Sequence, residues 1–175
     1  MKVECQVANV NSTAAALLGF LLRGPMTGWQ IVQTAEFELC DFWNLNRSQV
    51  YRELAKLAED GFIEAGEKGV REQVPYSITE AGRTAFLAWL REMPGPETLR
   101  SPLHLKLSFA EHLDDETLAR FVRAHRFRIE ERLAYYRQLE AQVDDGCPQY
   151  LVLQCGILET EALLAWLDSL PWGRR

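Results

Sequence analysis

Gln49, Arg52 and Lys56 follow one another by three and then four residues, the spacing that one face of a helix gathers, and Ser48 and Tyr51 flank them. Such a face offers hydrogen-bond donors and positive charge. Arginine can pair with the two major-groove acceptors of guanine, and glutamine with the acceptor and donor of adenine. Arg47 and Lys56 are suited to phosphates, contacts that fix position without reading sequence. A solvated helix surface has the same composition, so the face alone does not decide between these readings.

The elements around it narrow the choice. Asn46 is a good N-cap, and Gln49 stands three residues on, where a capping box wants Glu or Gln. Gly61 is placed to end the helix in a left-handed conformation. Val50, Leu54 and Leu57 recur at helical spacing and predict a buried stripe. Glu53, Glu59 and Asp60 would repel phosphate, so they are expected toward the protein or the C-terminal end of the helix. Ahead of it, Ser12 or Thr13 can cap a helix reaching residue 22 or 23, apolar nearly all round and stopped by Gly24-Pro25. Met26-Thr27-Gly28 reads as a tight connection into a helix over 28–39. An apolar link with Phe42 and Trp43 then leads into the donor-bearing helix.

Beyond Gly61 the pattern becomes extended. Strands are predicted over 62–65 and 73–78, joined by a polar, glycine-containing turn that carries Lys68 and Arg71. Pro75 cannot donate to a central ladder and is expected on an edge or at a bulge. Thr79 caps a helix running to Met93. Three helices followed by a hairpin is the order of a winged helix-turn-helix, whose third helix enters the DNA major groove with the hairpin beside it. Lys68 and Arg71 are the wing candidates for DNA contact, with a solvated tip as the alternative.

Pro94-Gly95-Pro96 marks a boundary, giving a winged helix-turn-helix DNA-binding domain over 1–93 and an all-helical dimerisation domain over 94–175. The fold class is therefore mostly α. In the second domain a helix is expected over 99–113. Another, capped by Asp114, is expected to run unbroken to about 143, roughly 42 Å at 1.5 Å per residue. Leu118, Val122, His125, Ile129, Arg132, Tyr136, Leu139 and Val143 form a heptad-like seam on it that calls for a partner. A last helix over 149–170 has an apolar face of Leu151, Cys155, Leu158, Ala162, Ala165 and Trp166.

The 175 residues are 47% hydrophobic and 25% charged, an ordinary globular composition. The net charge of −6 means that nucleic-acid binding must come from a local basic cluster. The four cysteines are scattered with no C-x-x-C, so reduced thiols are expected, Cys40 and Cys155 packing as small hydrophobes. The apolar run 13–22 is too short to span a membrane and is followed by Arg23-Gly24-Pro25 rather than a cleavage site, which predicts a cytoplasmic protein. His104, His112 and His125 form no metal-ligand pair, no catalytic constellation is present, and no metal, cofactor or enzymatic activity is expected.

Four blocks carry a resemblance to a known family: Ala16-Leu17-Leu18-Gly19-Phe20-Leu21; Gly24-Pro25-Met26-Thr27-Gly28-Trp29-Gln30-Ile31; Ser48-Gln49-Val50-Tyr51-Arg52-Glu53-Leu54 with Leu57 and Gly61-Phe62-Ile63; and Tyr76-Ser77-Ile78-Thr79-Glu80-Ala81-Gly82. In order and spacing they resemble the N-terminal domain of the PadR-like transcriptional regulators. Pro102-Leu103, Lys106-Leu107, Phe109, Gly156-Ile157-Leu158, Glu161, Ala165 and Trp166-Leu167 resemble the helical C-terminal part of one branch of that family.

The resemblance implies a homodimer on a palindromic operator of double-stranded DNA, joined through its C-terminal helices. It also implies a repressor, released in some members by small aromatic or hydrophobic effectors. Tyr51 resembles the family's backbone-contacting tyrosine, with packing against the second helix as the alternative. Trp43, Trp89 and Phe109 are candidates to line an effector cavity, with core packing as the alternative. The chain departs from the pattern at Trp29, where the family has Tyr, at Arg52, where it has Pro, and in a wing less basic than usual. The acidic balance and thin wing keep a second function open: a ligand-sensing or protein-interaction dimer that retains the winged fold without strong DNA binding.

Overall fold

The computed structural model describes residues 10–39, 42–43, 45–67, 74–96 and 99–173, and divides into two compact units, Met1–Gly95 and Pro96–Arg175. The first contains α1 (Ser12–Leu21), β1 (Met26–Thr27), α2 (Gly28–Glu38), α3 (Arg47–Glu59), β2 (Ile63–Ala65), β3 (Pro75–Ile78) and α4 (Glu80–Leu90). The second contains α5 (Pro102–Leu107), α6 (Asp115–Glu140) and α7 (Pro148–Ser169).

In the first unit α1 is the central element, with Ala15, Leu17 and Leu18 fully buried and Ala14, Phe20 and Leu21 nearly so. Its cap is Asn11, one residue ahead of the expected Ser12 or Thr13: the Asn11 side chain accepts from the Ala14 N–H at 2.9 Å. Helix α2 begins with a capping box made by Thr27 and Gln30. Ile31 and Val32 of α2, Val50, Leu54 and Leu57 of α3 and Ile63 of β2 close around α1, each burial of a large aliphatic side chain contributing roughly 1.5–3 kcal/mol.

The sheet corrects two expectations. Met26-Thr27 is a strand rather than a plain connection, and the order is β1-β3-β2, all antiparallel. Pro75 consequently starts the central strand, paired with Thr27, instead of sitting on an edge. The first position of a strand tolerates its missing donor, and its carbonyl still accepts from the Gly66 N–H at 2.7 Å. Thr79 caps α4 by accepting from Gly82 N–H at 3.1 Å while donating to the Gly61 carbonyl at 2.8 Å, so one side chain ties the end of the α3 turn to the start of α4. Helix α4 ends at Leu90, short of the expected Met93.

In the second unit the helix expected over 99–113 is broken. Six residues form α5, and a 3-10 turn over Ala110–His112 follows. The Ser108 hydroxyl bonds back to the His104 carbonyl at 3.0 Å, and Phe109 leaves helical geometry at ψ 30°. A serine that competes for backbone groups favours such an ending.

Helix α6 is capped by Asp114, which accepts from Thr117 N–H at 2.7 Å. Its seam finds cover inside the same chain: Val122 and Ile129 pack with Leu103, Leu163, Leu164 and Leu167. Arg126 pairs with Asp168, Arg137 with Glu161, and Gln154 with Glu140. The falling partner numbers make α6 and α7 antiparallel. After α7 the chain turns so that the Trp172 indole donates to Asp115 at 2.8 Å, near the start of α6.

The predicted apolar face of α7 points largely away from the rest of the chain. Leu151, Cys155, Leu158, Ala162 and Ala165 are exposed, and the side buried in the chain carries Ile157, Thr160 and Leu167. Cys155 therefore is not a core residue, and Cys40 lies outside the described residues. By length and composition alone α7 could cross a bilayer. Glu161 and Asp168, however, form ion pairs to α6, which suits a helix packed on a partner helix. Among the described residues no cluster of three metal-ligating side chains occurs.

Candidate nucleic-acid interface

Helix α3 is built from both ends as its sequence predicts. The Asn46 side chain accepts from Gln49 N–H at 2.9 Å, and the Gln49 side chain accepts from Asn46 N–H at 3.1 Å. Gly61 takes φ +75° just after the helix. Val50 and Leu54 are fully buried and Leu57 nearly so, which fixes the rotation of the helix on its unit.

That rotation leaves Arg47, Ser48, Arg52 and Lys56 exposed and Gln49 half-buried. Gln49 and Arg52 share a shallow open groove of about 370 Å³ with Asn11, Ser12, Thr13, Trp43 and Glu53. Tyr51 packs against the second helix, one of its two alternatives, and keeps part of its ring in the open. Its ring rests on the first residue of α2, where a Cβ on Gly28 would come within 2.7 Å of it, yet it remains partly exposed. The Arg47 guanidinium lies 5.5 Å from the ring centroid. Glycine at 28 is thus required by close approach, and the tyrosine is held between α2 and Arg47.

The acidic residues lie at the C-terminal end of α3 or inward, with Glu53 a wall of the groove it shares with Arg52. Glu59 and Asp60 are exposed at the C-terminal end. Glu53 is buried, 9% exposed, and its carboxylate accepts from the Asn11 side-chain amide at 2.9 Å. Asn11 therefore serves two elements at once, capping α1 with its oxygen and holding α3 with its nitrogen. The sequence signal for this cap is an Asn ahead of the apolar run of α1, one residue before the Ser12 and Thr13 expected to cap it. Lys68 and Arg71 lie outside the described residues.

The three aromatic candidates stand in different surroundings. Trp43 is a wall of the groove beside α3, and neither Trp89 nor Phe109 is among the other walls. Trp89 packs with Phe86, ring centroids 6.2 Å apart, against the core of the first unit. Phe109 is exposed in the second unit. There, His104 stacks on Trp166 at 4.6 Å, and His125 is held below the usual histidine pKa, first by burial and then by Arg128, Arg132 and His104 nearby.

Residues 17–88 match the Transcriptional regulator PadR-like family, and residues 99–170 match the Virulence activator alpha C-term family. The chain belongs to the PadR-like transcriptional regulators. Members of this family are DNA-binding regulators and not enzymes. The chain is 28% identical over 169 residues to the Bacillus subtilis protein described as negative transcriptional regulator PadR, covering 89% of this chain and 93% of that one. The crystal structure of Bacillus subtilis PadR in complex with operator DNA superposes with a TM-score of 0.77 at 28% identity, over 91% of this chain and 96% of that one. Its complex with p-coumaric acid gives 0.73, with the same identity and the same coverage. Both units of this PadR-like chain therefore have solved counterparts, the winged unit with its three-stranded sheet and the helical unit after it.

Proposed function

We propose that this PadR-like regulator binds a palindromic operator as a homodimer and represses transcription, with α3 of each protomer in the major groove. The observation that carries this reading is the division of α3. One side is closed on the core, and the other presents Ser48, Gln49 and Arg52 as base-reading groups with Arg47, Lys56 and the Tyr51 hydroxyl for phosphates. Lys68 and Arg71 complete the contact from the wing. Repression, operator binding and release by an aromatic acid are supported by the Bacillus subtilis relative, a negative regulator solved with operator DNA and with p-coumaric acid. Of the three aromatic candidates, Trp43, a wall of the groove beside α3, is the one offered to such an effector. A regulator of this kind acts in the cytoplasm, where its DNA is.

The homodimer is supported by α7, whose outward Leu151, Val152 and Leu158 leave an apolar face that a second copy would cover. The test is a gel shift on the DNA upstream of the chain's own gene, across a salt series. The expected result is a retarded band whose affinity falls steeply with salt, since each phosphate contact releases counterions. Absence of any shift at low salt would overturn the reading in favour of a winged dimer that senses a ligand or a protein without holding DNA.

A further inference from the structure

Arg52 and Glu53 bring opposite charges to one groove. Neighbours on a helix ordinarily point apart, yet both residues are walls of the groove beside α3. Among the described residues no ion pair joins them, and Arg52 has no other salt bridge. The Glu53 carboxylate is occupied by Asn11, whose side-chain nitrogen donates to it at 2.9 Å. The same side chain caps α1 through its oxygen, accepting from the Ala14 N–H at 2.9 Å. These two duties fix the amide, because the Ala14 N–H needs an acceptor and the carboxylate needs a donor. The carboxylate is thereby held at the start of α1, where Glu53 is buried, and Arg52 stays exposed. A carboxylate released from that hold has the Arg52 guanidinium in the same groove. The fork of donors that pairs with guanine pairs equally well with a carboxylate. An Arg52–Glu53 pair would cancel the charge of Arg52 and occupy the donors that a base needs.

We infer that Asn11 is a positioning residue for base reading: by holding Glu53 it keeps Arg52 open to DNA. This rests on α3 being the reading helix, as proposed above. It gives a part in recognition to a residue at the start of α1 that touches no base itself.

Two variants separate this role from a merely structural tie between α1 and α3. Asn11→Gly removes the donor at little cost to the cap, since glycine is tolerated there. Adding Glu53→Gln removes the charge that would capture Arg52 but does not restore the tie. The full-length chain, wild type and variants, selects from a random duplex library beside Arg52→Ala, and affinity and melting are measured for each. Asn11→Gly is expected to melt within about 4 °C of wild type. It is expected to weaken binding about tenfold and to lose preference at the same base pair as Arg52→Ala, other positions keeping theirs. The added Glu53→Gln is expected to restore both affinity and preference. Should the glycine variant not melt cooperatively, Asn11→Ser, an equally good cap with a shorter side chain, takes its place. Wild-type preference in the Asn11 variant would overturn the inference. So would a loss spread evenly over all positions, or one that Glu53→Gln leaves unrepaired, since a loosened helix behaves in that way. Enrichment of no sequence by wild type, or a preference unaltered by Arg52→Ala, would instead overturn the reading of α3, and this inference with it.

Discussion

Helices α3 and α7 solve the same problem in opposite senses. In α3 the apolar side, Val50, Leu54 and Leu57, is shut against α1 and α2, and polar groups face out. In α7 the inward side includes Thr160, 1% exposed, and the ion-paired Glu161 and Asp168, while Leu158 is 63% exposed and Leu151 70%. The Thr160 hydroxyl is satisfied by donating to the Gly156 carbonyl at 2.6 Å, so its burial leaves no unpaired group. A helix with its leucines outside is incomplete as a monomer surface, whereas α3 is complete as a fold and open only to a polar partner. The contrast supports the different partners proposed for them: nucleic acid for the first face, an apolar surface for the second.

Substitution of a leucine on each helix should break the contrast most sharply. Leu54→Ala removes a fully buried side chain and is expected to cost about 2–5 kcal/mol in urea unfolding. Leu158→Asp, on the exposed face, is expected to spare folding and raise the dimer dissociation constant at least about tenfold in sedimentation. A variant that stays as dimeric as wild type would remove α7 as the joining face.

Gly28→Ala sharpens the account of Tyr51. With tyrosine present, the new Cβ meets the ring and Tm should fall. In a Tyr51→Ala background the same change should stabilise, by up to about 1 kcal/mol, because alanine is the better helix former. Additive effects in that double-mutant cycle would show that ring and glycine do not constrain each other.

The smallest expected effect is in pH. The folded-state pKa of His125 is lowered, by burial first and then by the Arg128, Arg132 and His104 charges, so the unfolded chain binds the proton more readily. Stability from this site should be complete above the ordinary value near 6.5 and decline as pH falls through it toward the lowered value. His125→Asn should flatten that part of the urea-stability profile.

What the sequence made legible follows the range of the interactions. The caps of α3 and α4 and the stripe Val50-Leu54-Leu57 are local, and they appear where the residue types place them. Strand β1 is two residues long and exists only because Tyr76 and Pro75 pair with it across the unit, which no local period announces. The sequence predicts Glu53, like Glu59 and Asp60, toward the protein or the C-terminal end of the helix, and it is buried. Its burial depends on Asn11, 42 residues away, offering an amide.

The apolar face of α7 was legible as a face, but periodicity does not say whether the covering surface belongs to the same chain. Here α6 takes the other side. On α6, Val122 and Ile129 of the predicted seam find cover in the same chain, against Leu103 and α7. Gln49 carried its capping signal in the sequence, and its oxygen makes that cap.

The most direct test of the division of α3 is the affinity of Arg52→Ala for the best operator fragment, measured by fluorescence anisotropy beside its melting curve. Arg52 is exposed and outside the core, so Tm should be unchanged. Loss of a guanine-pairing arginine should weaken specific binding by about 1–3 kcal/mol, roughly tenfold or more, and relax the preference at one base pair. Full affinity with unaltered preference would contradict the claim that this face of α3 reads DNA.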